Sequence, residues 1–481
     1  MTILDLQPKE VWRYFDEISR IPRGSGNEAA VREHIIEFAK VNGLYYKVDD
    51  AGNLILRKAG DATKGSMLLF QAHLDMVCEK NSNVEHDFTK DPIKTIVSGD
   101  TVKADGTTLG GDDGIGVAMI MALMTDKTIE RPIEALLTVS EEVGLKGAMG
   151  LKSGELESDT MINLDSEDDE EIIIGCAGGM DTLLWLDIEK ENVPYKPFAV
   201  KIKVSGLKGG HSGEDIHKPR ANANKLIGGF LKDVIAEGKI DMRIAGIHGG
   251  DKRNAIPREA EATITVPWAD KENIRIAWNI FESKAEELFK RDEPDMRLTL
   301  ESTTISGDTY SEILTEKIAS ILCAAPHGVI EWSANIPDMV EVSTNLAYIR
   351  EADGKLVIGT SQRSPSQEKC SAIASKVAKI GEQYGATAIH EDSYPGWEPK
   401  QDSALQKTAA ATYKEMFGME PKIKAIHAGL ECGLFLQPYP NMDMISIGPK
   451  ITDIHSPAET MHISTVEKCW KFVKKLTSVL P

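Results

Sequence analysis

A chain of 481 residues is too long for a single hydrophobic core and should divide into about two or three domains. Hydrophobic and charged contents of 41% and 27% are those of a soluble globular protein, which excludes a disordered or membrane-embedded chain. A formal net charge of -20 argues against nucleic acid and anionic membrane surfaces as partners, because their phosphates would be repelled.

The opening residues lack a basic start followed by an apolar core, so no secretory signal is expected. No window approaches the run of about 18 apolar residues that a membrane span needs. Cys78, Cys176, Cys323, Cys370, Cys432 and Cys469 are scattered without a CxxC pair, the pattern of reduced thiols in a cytoplasmic protein.

Residues 7–42 predict two amphipathic helices, the second with Asn27 as N-cap and Gly43 as its stop. Residues 67–70 form a buried strand leading into His73. Residues 116–124 form an apolar helix that starts just after Asp112. Strands at 133–139 and 161–164 lead into Glu141 and Asp165. Acidic and histidine residues at the carboxyl ends of successive strands fit the crevice of an open α/β sheet. The acidic run 167–171 beside Asp165 reads as a solvated loop.

From about residue 195 the texture changes. Strand 198–204, helix 222–235, strands 242–247 and 259–266, helix 274–289 and strand 296–300 describe a small α+β unit. A looser repeat follows: helix 311–322, strands 340–349 and 355–361, helix 367–384. Within it, Asn345-Leu346-Ala347 echoes Asn254-Ala255-Ile256. Residues 195–394 are therefore read as a lid domain, internally duplicated and inserted into a catalytic α/β domain formed by 1–194 and 395–481. The alternative is one irregular insert. After helix 403–416 and strand 444–447 comes His455, and helix 466–480 closes the chain.

Five segments carry the chemistry: His73-Leu74-Asp75, Asp112-Asp113, Glu141-Glu142, Asp165-Ser166 and His455-Ser456. Two imidazoles and several carboxylates suit a pair of borderline-hard divalent cations with one carboxylate left over as a base. Asp75 shares a strand face with His73 and fits the role of fixing its tautomer. Asp112, at a helix mouth, fits either a bridge between cations or a plain N-cap, with Asp113 as second candidate. Of Glu141 and Glu142, one can hold a cation while the other accepts a proton from water, and spacing alone leaves the order open.

The segments HLDMV, TTLGGDDGIG, SEEVGLKGA, NLDSE and HSPAE, in this order, resemble the M20 dizinc peptidases. GCAGG, GGHSG, NAIPREA and HAGLECG extend the likeness over nearly the whole chain, toward the dipeptidase branch of that family. The resemblance implies that His73 and Asp165 hold one cation and Glu142 and His455 the other. It makes Asp112 the bridge, Glu141 the general base and Asp75 the orienting residue of His73. It also implies that His211 polarises the scissile carbonyl and that Asn254, Arg363 and Gly429 bind substrate. An arginine at fixed distance from the cations would clamp the free carboxylate and so select dipeptides. With His211 and Arg363 on one chain, a homodimer is compatible but not required.

The expected function is thus a cytoplasmic dipeptidase with two divalent ions, zinc first and cobalt or manganese as substitutes. Its substrates would be small peptides, Xaa-His and β-alanyl-histidine among them. The rival enzyme reading is an amidohydrolase acting on N-acyl amino acids. A non-catalytic peptide- or metal-binding protein is the third, and it would be expected to have lost the base or a ligand.

Overall fold

The apolar runs ahead of His73 and Glu141 become neighbouring strands that are buried along their whole length. In a computed structural model describing residues 2–193, 195–238, 240–334, 336–400 and 402–481, strand Leu68–His73 lies parallel to both Ile133–Thr138 and Thr160–Asn163. No residue of the first two strands reaches solvent appreciably, as expected where parallel strands are covered on both faces. They form the middle of an eight-stranded mixed sheet. Its order is Tyr45–Val48, Leu54–Lys58, Ile133–Thr138, Leu68–His73, Thr160–Asn163, Asp443–Ser446, Glu171–Cys176, Lys422–Ile426. The late strand Asp443–Ser446 sits between two early ones, parallel to Thr160–Asn163. This sheet belongs to one compact unit, made of Met1–Gly175, Trp397–Ala425 and Leu430–Pro481.

Helix Gly111–Thr125 is apolar on every side and buried from Gly114 to Met124, so it can only be a core helix. It starts earlier than its apolar run suggests. Asp112 and Asp113 have non-helical backbones, and Asp113, not Asp112, accepts the amide of Gly116 at 3.2 Å as a cap. Asn27 does not cap the second helix either. That helix spans Ala29–Val41 with Glu28 before it, and the Glu28 carboxylate accepts from the Gly26 and Ser140 amides, both at 2.9 Å. Gly43 does follow its end, with φ of 67°. The run 167–171 is not simply solvated: Glu171 opens a strand and Asp169 pairs with Lys468 at 2.6 Å.

A small four-stranded sheet was not foreseen. It orders Ile451–Thr452, Thr460–His462, Thr101–Ala104 and Thr95–Ser98. His455 lies on the turn between the first two of these strands, in a left-handed backbone (φ 58°) that is uncommon for a side chain bearing Cβ.

The second unit comprises Cys176–Gly396 and Ile426–Gly429. It is built on a nine-stranded antiparallel sheet ordered Arg297–Thr303, Pro197–Ser205, Ala260–Pro267, Arg243–Gly249, Val340–Ala352, Lys355–Ser364, Gly178–Asp187, Thr387–Tyr394, with Gly328–Trp332 also against Val340–Ala352. Val200, Ile202 and Val204 face a core that includes Phe230, Trp278 and Ile318 of the covering helices. Lys201 and Lys203, alternating with them, pair with Glu261 and Glu259 on the other face. Strand Gly178–Asp187 precedes residue 195 yet belongs to this sheet, and residue 194 is outside the described residues. Counted from each edge inward, the two halves place their strands in the same chain order, an arrangement a duplicated module would produce.

No disulfide joins the six cysteines. Among the described residues no helix is long and apolar enough to cross a membrane.

Candidate metal centre

His73 ends its strand with 1% of its surface exposed, and Asp75, two residues on, is fully buried. The His73 Nε2 atom stands 3.0 Å from Asp112 Oδ1 and 3.4 Å from Asp165 Oδ1. The other oxygen of Asp112 lies 3.1 Å from His455 Nε2, which is itself 3.0 Å from Glu142 Oε1. Asp112 therefore stands between the two imidazoles, one carboxylate oxygen toward each. Ligands about 2.0–2.1 Å from one tetrahedral ion lie roughly 3.3–3.4 Å apart, close to these separations. Two donor triads also fall within 4.8 Å: His73 with Asp112 and Glu142, and His73 with Asp113 and Asp165. The residue types and spacing fit a divalent cation.

The charges agree. The carboxylates of Asp112 and Glu142 beside His455 push its imidazole up to about 11, against burial. Burial opposes protonation of His73, yet Asp165 and Asp112 carry it well above its ordinary value. In the metal-free chain both imidazoles thus carry positive charge amid carboxylates, the charge that bound cations would otherwise supply. Burial drives Glu141 well above the usual carboxylate range, and Asp165, Glu431 and Glu142 reinforce it. A proton acceptor needs such a raised affinity, which nearby cations would moderate.

Asp75 does more than face His73. Its Oδ1 is 3.5 Å from His73 Nδ1, a long contact, while its two oxygens accept from the Glu141 amide at 3.0 Å and the Glu142 amide at 3.2 Å. Ser25 Oγ adds a bond at 2.8 Å. Burial raises this carboxyl, but His73, Ser25 and the amides prevail and hold it at about 2. One carboxylate thereby ties the His73 strand end to the Glu141–Glu142 loop. Asp113 is buried with its oxygens engaged by the His73 and Gly116 amides, so its extra carboxylate has structural partners.

Two residues that sequence reasoning passed over hold the loop before Asp112. Glu459 accepts from the amides of Leu109, Gly110 and Gly111 at 2.7, 3.1 and 2.7 Å, with the Asp112 amide at 3.4 Å. Buried Arg23 donates to the carbonyls of Leu74 and Asp75 at 3.0 and 2.8 Å and to that of Gly110. Gly110 has φ of 69°, and a Cβ there would meet the Arg23 guanidinium at 2.6 Å, so only glycine fits. Glu459 was visible as the last letter of HSPAE. Arg23 had only a Pro-Arg-Gly-Ser-Gly loop to mark it.

His211, Asn254, Arg363 and Gly429 all fall in the second unit, where most of them gather around Ser212. His211 pairs with Ala255 in a two-residue ladder, and its Nδ1 accepts the Glu214 amide at 3.2 Å. A neutral His211 must then carry its proton on Nε2. The Asn254 carbonyl accepts the Ser212 amide at 2.8 Å. Asn345 Nδ2 bonds the carbonyls on either side of it, those of Arg253 and Ala255, at 3.1 and 2.8 Å. The asparagine echo of the sequence is thus a physical contact.

Arg363 is 7% exposed. One terminal nitrogen donates to Tyr394 Oη at 2.9 Å, the other reaches Ser212 Oγ only at 3.4 Å, and Nε has no hydrogen-bond partner among the described residues. The Nε edge of the guanidinium is the one left for a bidentate anion. Gly429 passes close to the Tyr394 ring, 3.3 Å from where a Cβ would stand.

Residues 69–478 match the profile of Peptidase family M20/M25/M40. Over 480 residues the chain is 39% identical to the cytosol non-specific dipeptidase of Escherichia coli (strain K12), covering 99% of this chain and 98% of the relative. The crystal structure of aminoacylhistidine dipeptidase from Vibrio alginolyticus superposes with a TM-score of 0.91 at 37% identity, over 100% of this chain and 98% of that one. Aminopeptidase PepT from Bacillus cereus ATCC 10987 shares the fold, with a TM-score of 0.56 at 15% identity over 98% of each chain.

Proposed function

The chain belongs to peptidase family M20/M25/M40, and from that premise we propose that it is a cytoplasmic metallodipeptidase. The observation that supports this reading most is Asp112, whose two oxygens address His73 and His455 at 3.0 and 3.1 Å. His73 and Asp165 would hold one divalent cation, Glu142 and His455 the other, with Asp112 shared. Bound cations polarise a carbonyl and lower the pKa of water. Zinc suits the mixed imidazole and carboxylate donors, and cobalt or manganese fits the same set.

Glu141 takes the proton of the attacking water as the new C–O bond forms, then passes it to the departing amine as the C–N bond breaks. Asp75 keeps Glu141 in place through its amide. His211, protonated on Nε2, donates to the carbonyl oxygen where negative charge develops. Arg363 receives the substrate carboxylate on its Nε edge, with Asn254 and Gly429 completing the peptide contacts. Such a clamp favours dipeptides, Xaa-His and β-alanyl-histidine included. If the second unit is a fused duplicate, one chain would supply both His211 and Arg363, and a homodimer would be optional.

The test is metal analysis of chelator-treated protein, followed by turnover of a dipeptide panel with zinc, cobalt or manganese restored. Recovery of dipeptide hydrolysis at two ions per chain is expected. Hydrolysis of N-acyl amino acids in place of dipeptides would overturn the substrate assignment.

A further inference from the structure

Glu431 opens the short helix Glu431–Phe435 of the catalytic unit, and none of its surface reaches solvent. Its Oε2 accepts from Gln71 Nε2 and from Thr138 Oγ1, both at 2.6 Å. Its Oε1 has no hydrogen-bond partner among the described residues. Gln71 Oε1 in turn accepts from Asn163 Nδ2, and Asn163 Oδ1 accepts the Asp165 amide at 3.3 Å. Gln71, Thr138 and Asn163 are all fully buried.

Spacing gives this chain of bonds its meaning. Gln71 lies two residues before His73 and Asn163 two before Asp165, so on strands each shares a face with the residue it precedes. A polar layer therefore sits one step below the cation ligands. Its donors all point one way, from the Asp165 amide through Asn163 and Gln71 to Glu431. That direction is consistent at every step, because a reversed Gln71 amide would aim NH2 at the NH2 of Asn163, and Glu431 supplies the buried acceptor on which it ends. Burial pushes the Glu431 carboxyl up to about 8, although Thr138 and His73 draw it down.

We propose that Glu431 is a positioning residue for one cation of the pair, setting His73 and Asp165 through Gln71 and Asn163. Glu142 and His455 are held by other contacts, the Asp75 carboxylate for the first and the 451–462 hairpin for the second. The inference rests on the two-cation reading above.

Calorimetric titration of zinc into chelator-treated wild type, E431A, E431Q and Q71M tests it, with thermal unfolding recorded in parallel. Wild type and E431Q should each bind two ions, since a glutamine carbonyl can accept both bonds. E431A and Q71M should bind one ion roughly 10- to 100-fold more weakly and the other unchanged, the usual size of an effect from a residue behind a ligand. Q71M serves where E431A fails to fold. Equal weakening of both ions, or none, overturns the proposal. Selective loss in E431Q also overturns it, because the carboxylate would then act by charge. Fewer than two ions in wild type instead refutes the two-cation reading, and this proposal falls with it.

Discussion

The two units hold their functional side chains by different means. In the catalytic unit the candidates are braced by further polar groups: Asp75 under Glu141, Glu459 under the Asp112 loop, Arg23 between two loops. In the second unit Asn254 is exposed, and its position is set through backbone bonds from Ser212 and Asn345. The first arrangement suits cations, whose ligands must keep fixed separations. The second suits a substrate, which brings its own variation and tolerates adjustment.

Substitutions should separate these two kinds of site. The largest effect is expected for Glu141→Ala: kcat should fall on the order of 10²- to 10⁴-fold with both cations retained, as read by metal analysis of the purified variant. Activity near wild type would remove Glu141 from the role of base. Arg363→Ala should raise KM roughly 10- to 100-fold, the worth of about 1.5–3 kcal/mol for a bond to a charged group, and leave metal content intact. Loss of metal in that variant would erase the distinction between the units. Glu459→Ala strips the acceptor from the amides of the Asp112 loop and should cost about 1–3 kcal/mol of stability, measured by denaturant unfolding of the metal-free protein.

The smallest effect concerns pH, and its sign differs between the units. His455, raised to about 11 by Asp112 and Glu142, stabilises the metal-free catalytic unit fully below about pH 6.5, and this support fades as pH climbs toward 11. Burial lowers His427 and His327 of the second unit to about 3 and 4, so their contribution is present above about pH 6.5 and disappears on acidification through those values. Hydrogen exchange of the metal-free protein should show protection in the first unit decreasing from pH 7 to 9, and protection in the second decreasing from pH 6 to 4. The same pH trend in both units would contradict this.

Legibility in the sequence followed burial. Uninterrupted apolar runs such as 67–70 and 133–139 announced the central strands, and acidic or histidine residues at their ends announced the cluster. Strands Thr95–Ser98 and Thr101–Ala104 escaped because four residues are too few for alternation to register as a strand signal. Gly178–Asp187 escaped because two glycines and a lone aspartate interrupt its apolar pattern, which makes sense only once the neighbouring strands are known. The bracing residues were hardest. Glu459 accepts amides some 350 positions away and Glu431 reaches Gln71 from 360 positions away, so the pairings cannot be read from local sequence.

Strand Asp443–Ser446 carries a consequence for a chain emerging from the ribosome. Its place lies between Thr160–Asn163 and Glu171–Cys176, so the main sheet stays incomplete until residue 446 has been made. At about 5–20 residues per second, the delay after residue 176 is on the order of tens of seconds. Through most of that interval one edge of Thr160–Asn163 and both edges of Glu171–Cys176 offer unpaired amides and carbonyls to any neighbouring chain. His455 and Glu459 follow the missing strand, so a nascent chain can complete the proposed cation site only after that strand has been made.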